Sequence, residues 1–382
     1  METDYKSGEY EVIRIEPRYK DKVAELLMPL WGPDREKNAA YLDWKHYCNP
    51  YTQDPILCIS LHRGRVVGVS SHFACCWQAG QPDQRYLCVA GGDAVVHPDH
   101  RRHGLHRIQT SMALRDLENS PYHFDICLGS NQFTEGSAIK LGWTVVGELR
   151  PMSRQPWVRQ IARKIPLIPW TYRRLYNRSA TRQPSESAIQ PFHVLDRNYD
   201  RTKNFNQSGI VLEKKPRPEA MAMLVSRQAY DGRIRHVRDQ QFYAWRYQNP
   251  LSEYRFLFWE KGGLEGFLVL QQVLHNYSNA TQIVDWEATS VEVFSDLLQT
   301  VIHWGGFGSI SIWSVTLVDD MIKVLTRHGF SGAIKSSSSE SSTLFSRIIV
   351  KPLHSGGNWA MGGRDLLDIS NWDLRPIYSD GV

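Results

Sequence analysis

The stretch "GDAVVHPDHRRHGLHRIQT", residues 92–110, decides how this chain is read. An apolar run, Ala94-Val95-Val96, stops at Pro98, which lacks the backbone N–H that a β ladder needs. Arg101, Arg102, His103, Gly104 and His106 follow. Ile108, Met112, Leu114 and Leu117 then recur at helical spacing. The segment therefore reads as a strand, a short basic turn and an amphipathic helix. A helix start presents backbone N–H groups without intrahelical acceptors, and the helix dipole adds positive charge there. Arg101, Arg102 and His103 strengthen that field, and Gly104 lets a ligand approach the backbone. In physical terms this is a pyrophosphate cradle. It is neither a GxxxxGK[ST] loop nor a GxGxxG turn.

The neighbouring residues extend this reading. Gly91-Gly92 fit a β-bulge that splays the strand from its neighbour, and Asp93 rides on the same strand. Further on, "DICLGSNQFTEGSAIKLGW" (125–143) reads as a strand and a short helix closed by Gly142-Trp143, as in a left-handed C-cap.

Two passages resemble each other. One is "YLDWKHYCNPYTQDPILCISLHRGRVVGVSSHFACCW", from Tyr41, and the other is "FYAWRYQNPLSEYRFLFWEKGGLEGFLVLQQVL", from Phe242. Trp44, Lys45, Asn49 and Pro50 line up with Trp245, Arg246, Asn249 and Pro250. Each passage continues into a hairpin, a strand, a helix, a strand and a helix ending in Gly142-Trp143 or Gly329-Phe330. A repeat this long implies a duplicated domain rather than a solenoid. The segment after the first copy carries Pro156, Pro166, Pro169 and Pro184 and no acid between Arg154 and Glu186, as a basic linker would. The expected order is a first domain over 1–150, a linker over 151–190, a divergent second domain over 191–350 and a tail over 351–382.

Composition agrees with a folded chain of two domains: 382 residues, 42% hydrophobic and 22% charged. A net charge of +5 is too weak to imply nucleic acid by itself. No apolar run is long enough to cross a bilayer, and the polar start METDYKSGEYEV has no secretory core, so a cytoplasmic location is expected. The six cysteines lack CxxC spacing and read as reduced thiols, with no metal site.

Val96-His97-Pro98-Asp99-His100-Arg101-Arg102-His103-Gly104 matches V-x-P-x-x-R-x-x-G and resembles the acyl-CoA-binding motif of the GNAT superfamily of N-acyltransferases. The likeness extends over most of residues 10–150, and the second half resembles a divergent copy, as in tandem-GNAT proteins. The resemblance implies an α/β fold with mixed (α+β) sheets in two GNAT-like domains, the first binding acetyl-CoA or another acyl-CoA as co-substrate. It implies that Arg101, Arg102, His103, Gly104, Leu105 and His106 hold the pyrophosphate. The pantetheine arm would meet the splayed strand at Val95 and Val96, with Asn131 beside it. The loop departs from the family pattern at His106, where a second Gly or Ala is usual. Ala138 stands where many members place an acidic Tyr, and the second copy lacks the loop altogether.

N-acylation requires a neutral amine and hence a proton acceptor. Asp93 is the leading candidate, Glu135 the second, and His72 and His97 are weaker ones. The expected acceptor is a primary amine of a small molecule such as an amino sugar or amino acid derivative. Two alternatives remain: an aminoacyl-tRNA-dependent amide-forming transferase, with the basic linker touching RNA, or a non-catalytic acyl-CoA-binding protein. Sequence leaves the oligomeric state open.

Overall fold

The structure, a computed structural model, describes residues 5–81, 84–130, 132–155, 192–202, 209–274, 280–332, 347–354 and 356–379. The expected linker lies outside these residues from position 156 onward. The first half of the chain forms β1 (Tyr5–Ser7), β2 (Tyr10–Arg14), α1 (Lys20–Leu26), α2 (Met28–Trp31), α3 (Arg35–His46), β3 (Ile56–His62), β4 (Arg65–Gln78) and β5 (Arg85–Val96). It continues through α4 (Leu105–Glu118), β6 (Phe124–Ser130), α5 (Gln132–Lys140), β7 (Thr144–Glu148) and β8 (Pro151–Arg154). Then come α6 (His193–Thr202), β9 (Ile210–Glu213), α7 (Pro218–Arg227), β10 (Arg235–His236) and α8 (Gln240–Arg246). The last stretch holds β11 (Ser252–Glu260), β12 (Leu264–Val273), β13 (Ala280–Ala288), α9 (Val291–Trp304), β14 (Ser309–Trp313), α10 (Asp319–Arg327), β15 (Ser331–Gly332) and β16 (Arg347–Pro352).

Two compact units result, and they are not the consecutive blocks that the sequence suggested. One comprises Met1–Leu149, Arg217–Ser252 and Ser338–Val382; the other comprises Arg150–Pro216 and Glu253–Ser337. The reason is an exchange of strands. The first sheet runs β1-β2-β3-β4-β5-β6-β16-β7, so β16, from the far end of the chain, fills the place between β6 and β7. The second sheet runs β15-β8-β14-β13-β12-β11-β9, so β8, which directly follows the first unit, lies beside β14. Both sheets are mixed: β5–β6 and β13–β14 are parallel.

In the first unit, Met112, Ala113 and Leu117 of α4 pack on Val12, Ile56, Cys58, Ala74 and Val89. Successive strand residues face opposite ways. Phe73, next to Ala74, accordingly lies beneath the Lys45 ammonium of α3, 5.2 Å from its ring centre. Helices thus cover both faces of the sheet. The second unit buries Leu297, Leu298 and Val301 of α9 against Leu268, Leu270, Ile283 and Ile310.

The Trp residues of the repeat meet within the first unit. Trp44 and Trp245 stack at 5.0 Å and 12°. Each indole N–H donates to the other's backbone carbonyl at 2.9 Å. The expected left-handed caps are also present: Gly142 has φ 98° and Gly329 φ 82°. The following Trp143 and Phe330 N–H groups donate to Ala138 and Leu325 carbonyls at 3.2 and 2.9 Å.

Candidate active site

The site is built on the central strand. β5 pairs with β4 along most of its length, but the register shifts so that Gly92 and Asp93 stand opposite Ser71 alone. This is the bulge expected from Gly91-Gly92, one residue further along. On its other side β5 joins β6 only at Cys88–Phe124 and Val89–Asp125. Beyond that point the two parallel strands part, and Ala90–Val96 has no strand partner on that side among the described residues. Gly91 N–H closes the point of parting by donating to Asp125 Oδ1 at 3.2 Å.

The strand leads into the basic turn. Arg101 is extended, with its Nε donating to the Val96 carbonyl at 3.1 Å. Arg102 has φ 67° and Gly104 φ 72°. A non-glycine residue in that region is uncommon and occurs preferentially at functional sites. His103 is exposed, its ring 5.1 Å from that of Tyr10. Gly104 caps α4 without any side-chain acceptor, and the first turn contains no acid. The first helical bond runs from Ile108 N–H to the Gly104 carbonyl. The N–H groups of Leu105, His106 and Arg107 therefore have no intrahelical acceptor. A Cβ placed on Gly104 would meet nothing within 4 Å, so the space before the helix is open.

A cleft of about 1200 Å³ opens here, lined by Ala94, Val95, Val96, Arg101 and His106 and walled by Leu26, Met28 and Leu30 of the α1–α2 segment. That volume suits a ligand larger than a typical drug molecule. Burial, with the charge of His72 adding to it, holds the His106 pKa below its ordinary value.

The two carboxylates expected as bases are both committed. Asp93 Oδ2 takes the ammonium of Lys45 at 2.6 Å, and Oδ1 accepts the Trp31 indole N–H at 2.9 Å. Lys45 is 1% and Asp93 14% exposed, so the cation is buried and the carboxylate partly so. Burial raises the Asp93 pKa, but Lys45 and Trp31 outweigh it and hold the carboxyl below its ordinary value. Such a group is a weak proton acceptor. Asp93 instead fixes Trp31, and with it the α2 wall of the cleft. Glu135 is drawn to Arg347 of β16 at 2.7 Å rather than left open to a substrate. Asn131 lies outside the described residues.

His97 is half-exposed beside Asp99 at 3.8 Å. The His72 Nε2 is 3.1 Å from Asp125 Oδ2, with both side chains buried. Sequence reasoning did not single out Asp125. Its signal was an acid inside the otherwise apolar strand "FDICLG". The six cysteines are free thiols, with Cys58, Cys75, Cys76 and Cys88 buried and Cys48 exposed. Among the described residues no group of three or more His, Cys, Asp or Glu is arranged to hold a metal ion. No described helix is long and apolar enough to cross a membrane.

The architecture is the tandem GNAT fold. It is similar to a GCN5-related N-acetyltransferase from Anabaena variabilis, with a TM-score of 0.56 and 11% identity over 91% of this chain and 73% of that one. A GCN5-related N-acetyltransferase from Kribbella flavida gives 0.52 and 11% over 91% and 72%. A tandem GNAT protein from the clavulanic acid biosynthesis pathway gives 0.51 and 12% over 90% and 99%. At these identities the likeness is one of fold. No protein-family model matches the sequence, and no curated protein matches it either.

Proposed function

We propose that the first unit is an acyl-CoA-dependent N-acyltransferase acting in the cytoplasm. It moves an acetyl or other acyl group onto a primary amine of a small molecule, such as an amino sugar or amino acid derivative. One continuity carries this reading: the opening beside β5 leads along Ala94–Val96 onto the basic, uncapped start of α4. Acyl-CoA supplies an activated acyl group as a thioester, together with the phosphates that such a helix start selects. Val95 and Val96 offer backbone groups to the amides of a pantetheine arm. The N–H groups of Leu105 and His106 face the pyrophosphate, Gly104 leaves it room, and Arg101, Arg102 and His103 neutralise it. Asp93 serves as an anchor for Lys45 and Trp31, and Glu135 as an anchor for β16.

Calorimetry with coenzyme A tests this reading, with one site per chain expected. Gly104→Glu places bulk and negative charge at the helix start and should abolish binding, while thermal melting checks that the variant is folded. Unchanged affinity in that variant, or two equivalent sites per chain, would sink the reading. Salt-sensitive RNA binding without any coenzyme A heat would favour the aminoacyl-tRNA alternative.

A further inference from the structure

The strands that part at the site also part in the second unit, but the residues at the two partings differ in kind. Strand register aligns them. Gly68 opposite Val96 corresponds to Gly266 opposite Ala288, each pair lying ahead of a bulge on the central strand. The parallel pair Cys88–Phe124 corresponds to Ala280–Ser309. Counting from these anchors, Asp93 falls on Asp285, so the acid beside the bulge occurs in both units. His72, Gly91 and Asp125 fall on Leu270, Ile283 and Ile310.

In the second unit these three are ordinary core, 0, 0 and 1% exposed. In the first unit the same layer holds an imidazole at 3% exposure and a carboxylate at 0%. His72 stands opposite Gly91, which puts no side chain between the ring and Asp125 on the next strand. The His72 Nδ1 and the Asp125 Oδ2 are both buried and make no hydrogen bond, so the 3.1 Å approach of Nε2 to that oxygen is a contact of charge alone.

The apolar version of this layer is the easier one to fold. Replacing a buried ion pair with hydrophobic residues of similar volume is often neutral or stabilising. A buried polar atom without a partner costs about 1–3 kcal/mol. The polar version, with its vacated side-chain position, is kept in the unit whose helix start is open and basic. Packing gives no reason for that choice, but chemistry does.

We propose that His72 is the proton acceptor of the acyl transfer and that Asp125 is its positioning residue; this rests on the acyltransferase reading above. The negative charge of Asp125, 3.1 Å from Nε2, favours the ring proton on that nitrogen and leaves the Nδ1 lone pair as the base. The amide C–N bond forms as the thioester C–S bond breaks. The amine's proton passes to Nδ1 and then to the departing sulfur. Among the described residues, the titratable groups that act on His72 are Asp125 on β6, His106 on α4, which also lines the cleft, and His46 on α3. Burial pushes the His46 pKa down to about 3, so that ring is neutral at physiological pH.

The test installs the second unit's pair in the full chain as His72→Leu/Asp125→Ile. The variant should melt no lower than wild type and bind coenzyme A within about threefold, while kcat with acetyl-CoA and glucosamine or lysine falls by roughly 10²- to 10⁴-fold. Asp125→Asn, which keeps shape and fold, should lower kcat with KM retained and shift the acid limb of the pH–rate profile. A double variant that folds, binds coenzyme A and turns over at the wild-type rate overturns the proposal and leaves the acyltransferase reading standing. Nitrogen NMR of the imidazole needs no turnover: an Nε2–H ring is expected in wild type, and an Nδ1–H ring overturns the proposal. A wild type that gives no coenzyme A heat sinks the acyltransferase reading and the base role with it. The tautomer separates that failure from a failure of the His–Asp geometry.

Discussion

Helices α4 and α9 occupy the same place in the two units, each following the central strand, yet their first turns are finished in opposite ways. At α9 the extended Ser290 accepts the Val293 N–H at 3.3 Å, and Glu292 stands in the first turn. The Glu292 backbone and the Ser290 hydroxyl hold that carboxyl's pKa below its ordinary value. The chain itself thus supplies the cap and the negative charge that a helix start attracts. At α4 a left-handed glycine supplies no acceptor, the first turn holds no acid, and Arg101 and Arg102 stand alongside. A repeated fold acquires an anion site here largely by leaving its own demands unmet. The same principle governs the layer beneath, where the first unit leaves out the side chain that Ile283 supplies in the second.

The strongest way to break this comparison is to move the polar layer into the second unit. Leu270→His/Ile310→Asp would force an imidazole and a carboxylate beside Ile283, where Gly91 leaves room in the first unit. Overpacking and uncompensated burial of charge should together cost about 3–5 kcal/mol, read from urea unfolding. Adding Ile283→Gly should recover part of that loss. If the double variant unfolds within about 1 kcal/mol of wild type, the vacancy at Gly91 is not what allows the pair, and the comparison fails.

The sequence was most legible where structure is set by near neighbours. Pro98 ends the strand, the glycines before Trp143 and Phe330 close their helices, and the missing cap at Gly104 shows in the residues themselves. The partners of the charged residues were not legible. Asp93 and Glu135 are plainly acids, but their cations, Lys45 and Arg347, lie 48 and 212 residues away along the chain. An acid read without its partner looks like a free base. The exchange of β8 and β16 was hidden for a related reason. A short apolar strand carries no local mark of which sheet it will join, so the domain boundaries came out as consecutive blocks.

Acid should separate the units further. His46 and His236 both lie in the first unit, where burial pushes their pKa values down to about 3 and about 4. Unfolded chains would protonate such rings near their ordinary pKa of about 6.5. The stability they contribute is therefore full above about pH 6.5 and falls as pH drops toward the folded values. Each fully buried ring should cost about 2 kcal/mol between about pH 6.5 and pH 5. Hydrogen exchange at neutral and acid pH should show protection fading first in α3 and β10, and later in α9 and β12. His46→Phe should remove its share of the acid sensitivity. Equal fading in both units would show that these two rings do not set the difference.

The smallest effect is expected where the two copies meet as equals. Trp44 and Trp245 are 6% and 8% exposed, and each indole donates to the other's backbone at 2.9 Å. Substituting either with Phe keeps a stacked ring and deletes one donor, but the Trp245 carbonyl keeps the Gln248 N–H at 3.0 Å while the Trp44 carbonyl loses its indole partner. On that count alone Trp245→Phe should be the costlier, by about 1 kcal/mol. The cations that follow the tryptophans pull the other way. Arg246, whose Nε and Nη2 donate to the Ile377 and Ser379 carbonyls, lies 5.1 Å over the Trp44 ring. Lys45 turns instead to Asp93 and lies over Tyr41 and Phe73. Because Trp is the strongest cation–π partner, Trp44→Phe loses about 0.5 kcal/mol at that contact, so Trp245→Phe should remain the costlier by about 0.5 kcal/mol. A double variant should cost less than the sum, since the two rings touch. If Trp44→Phe proves the costlier substitution, the Arg246 contact outweighs the unpaired carbonyl, and the asymmetry of the pair lies in the cation above it rather than in the hydrogen bonds.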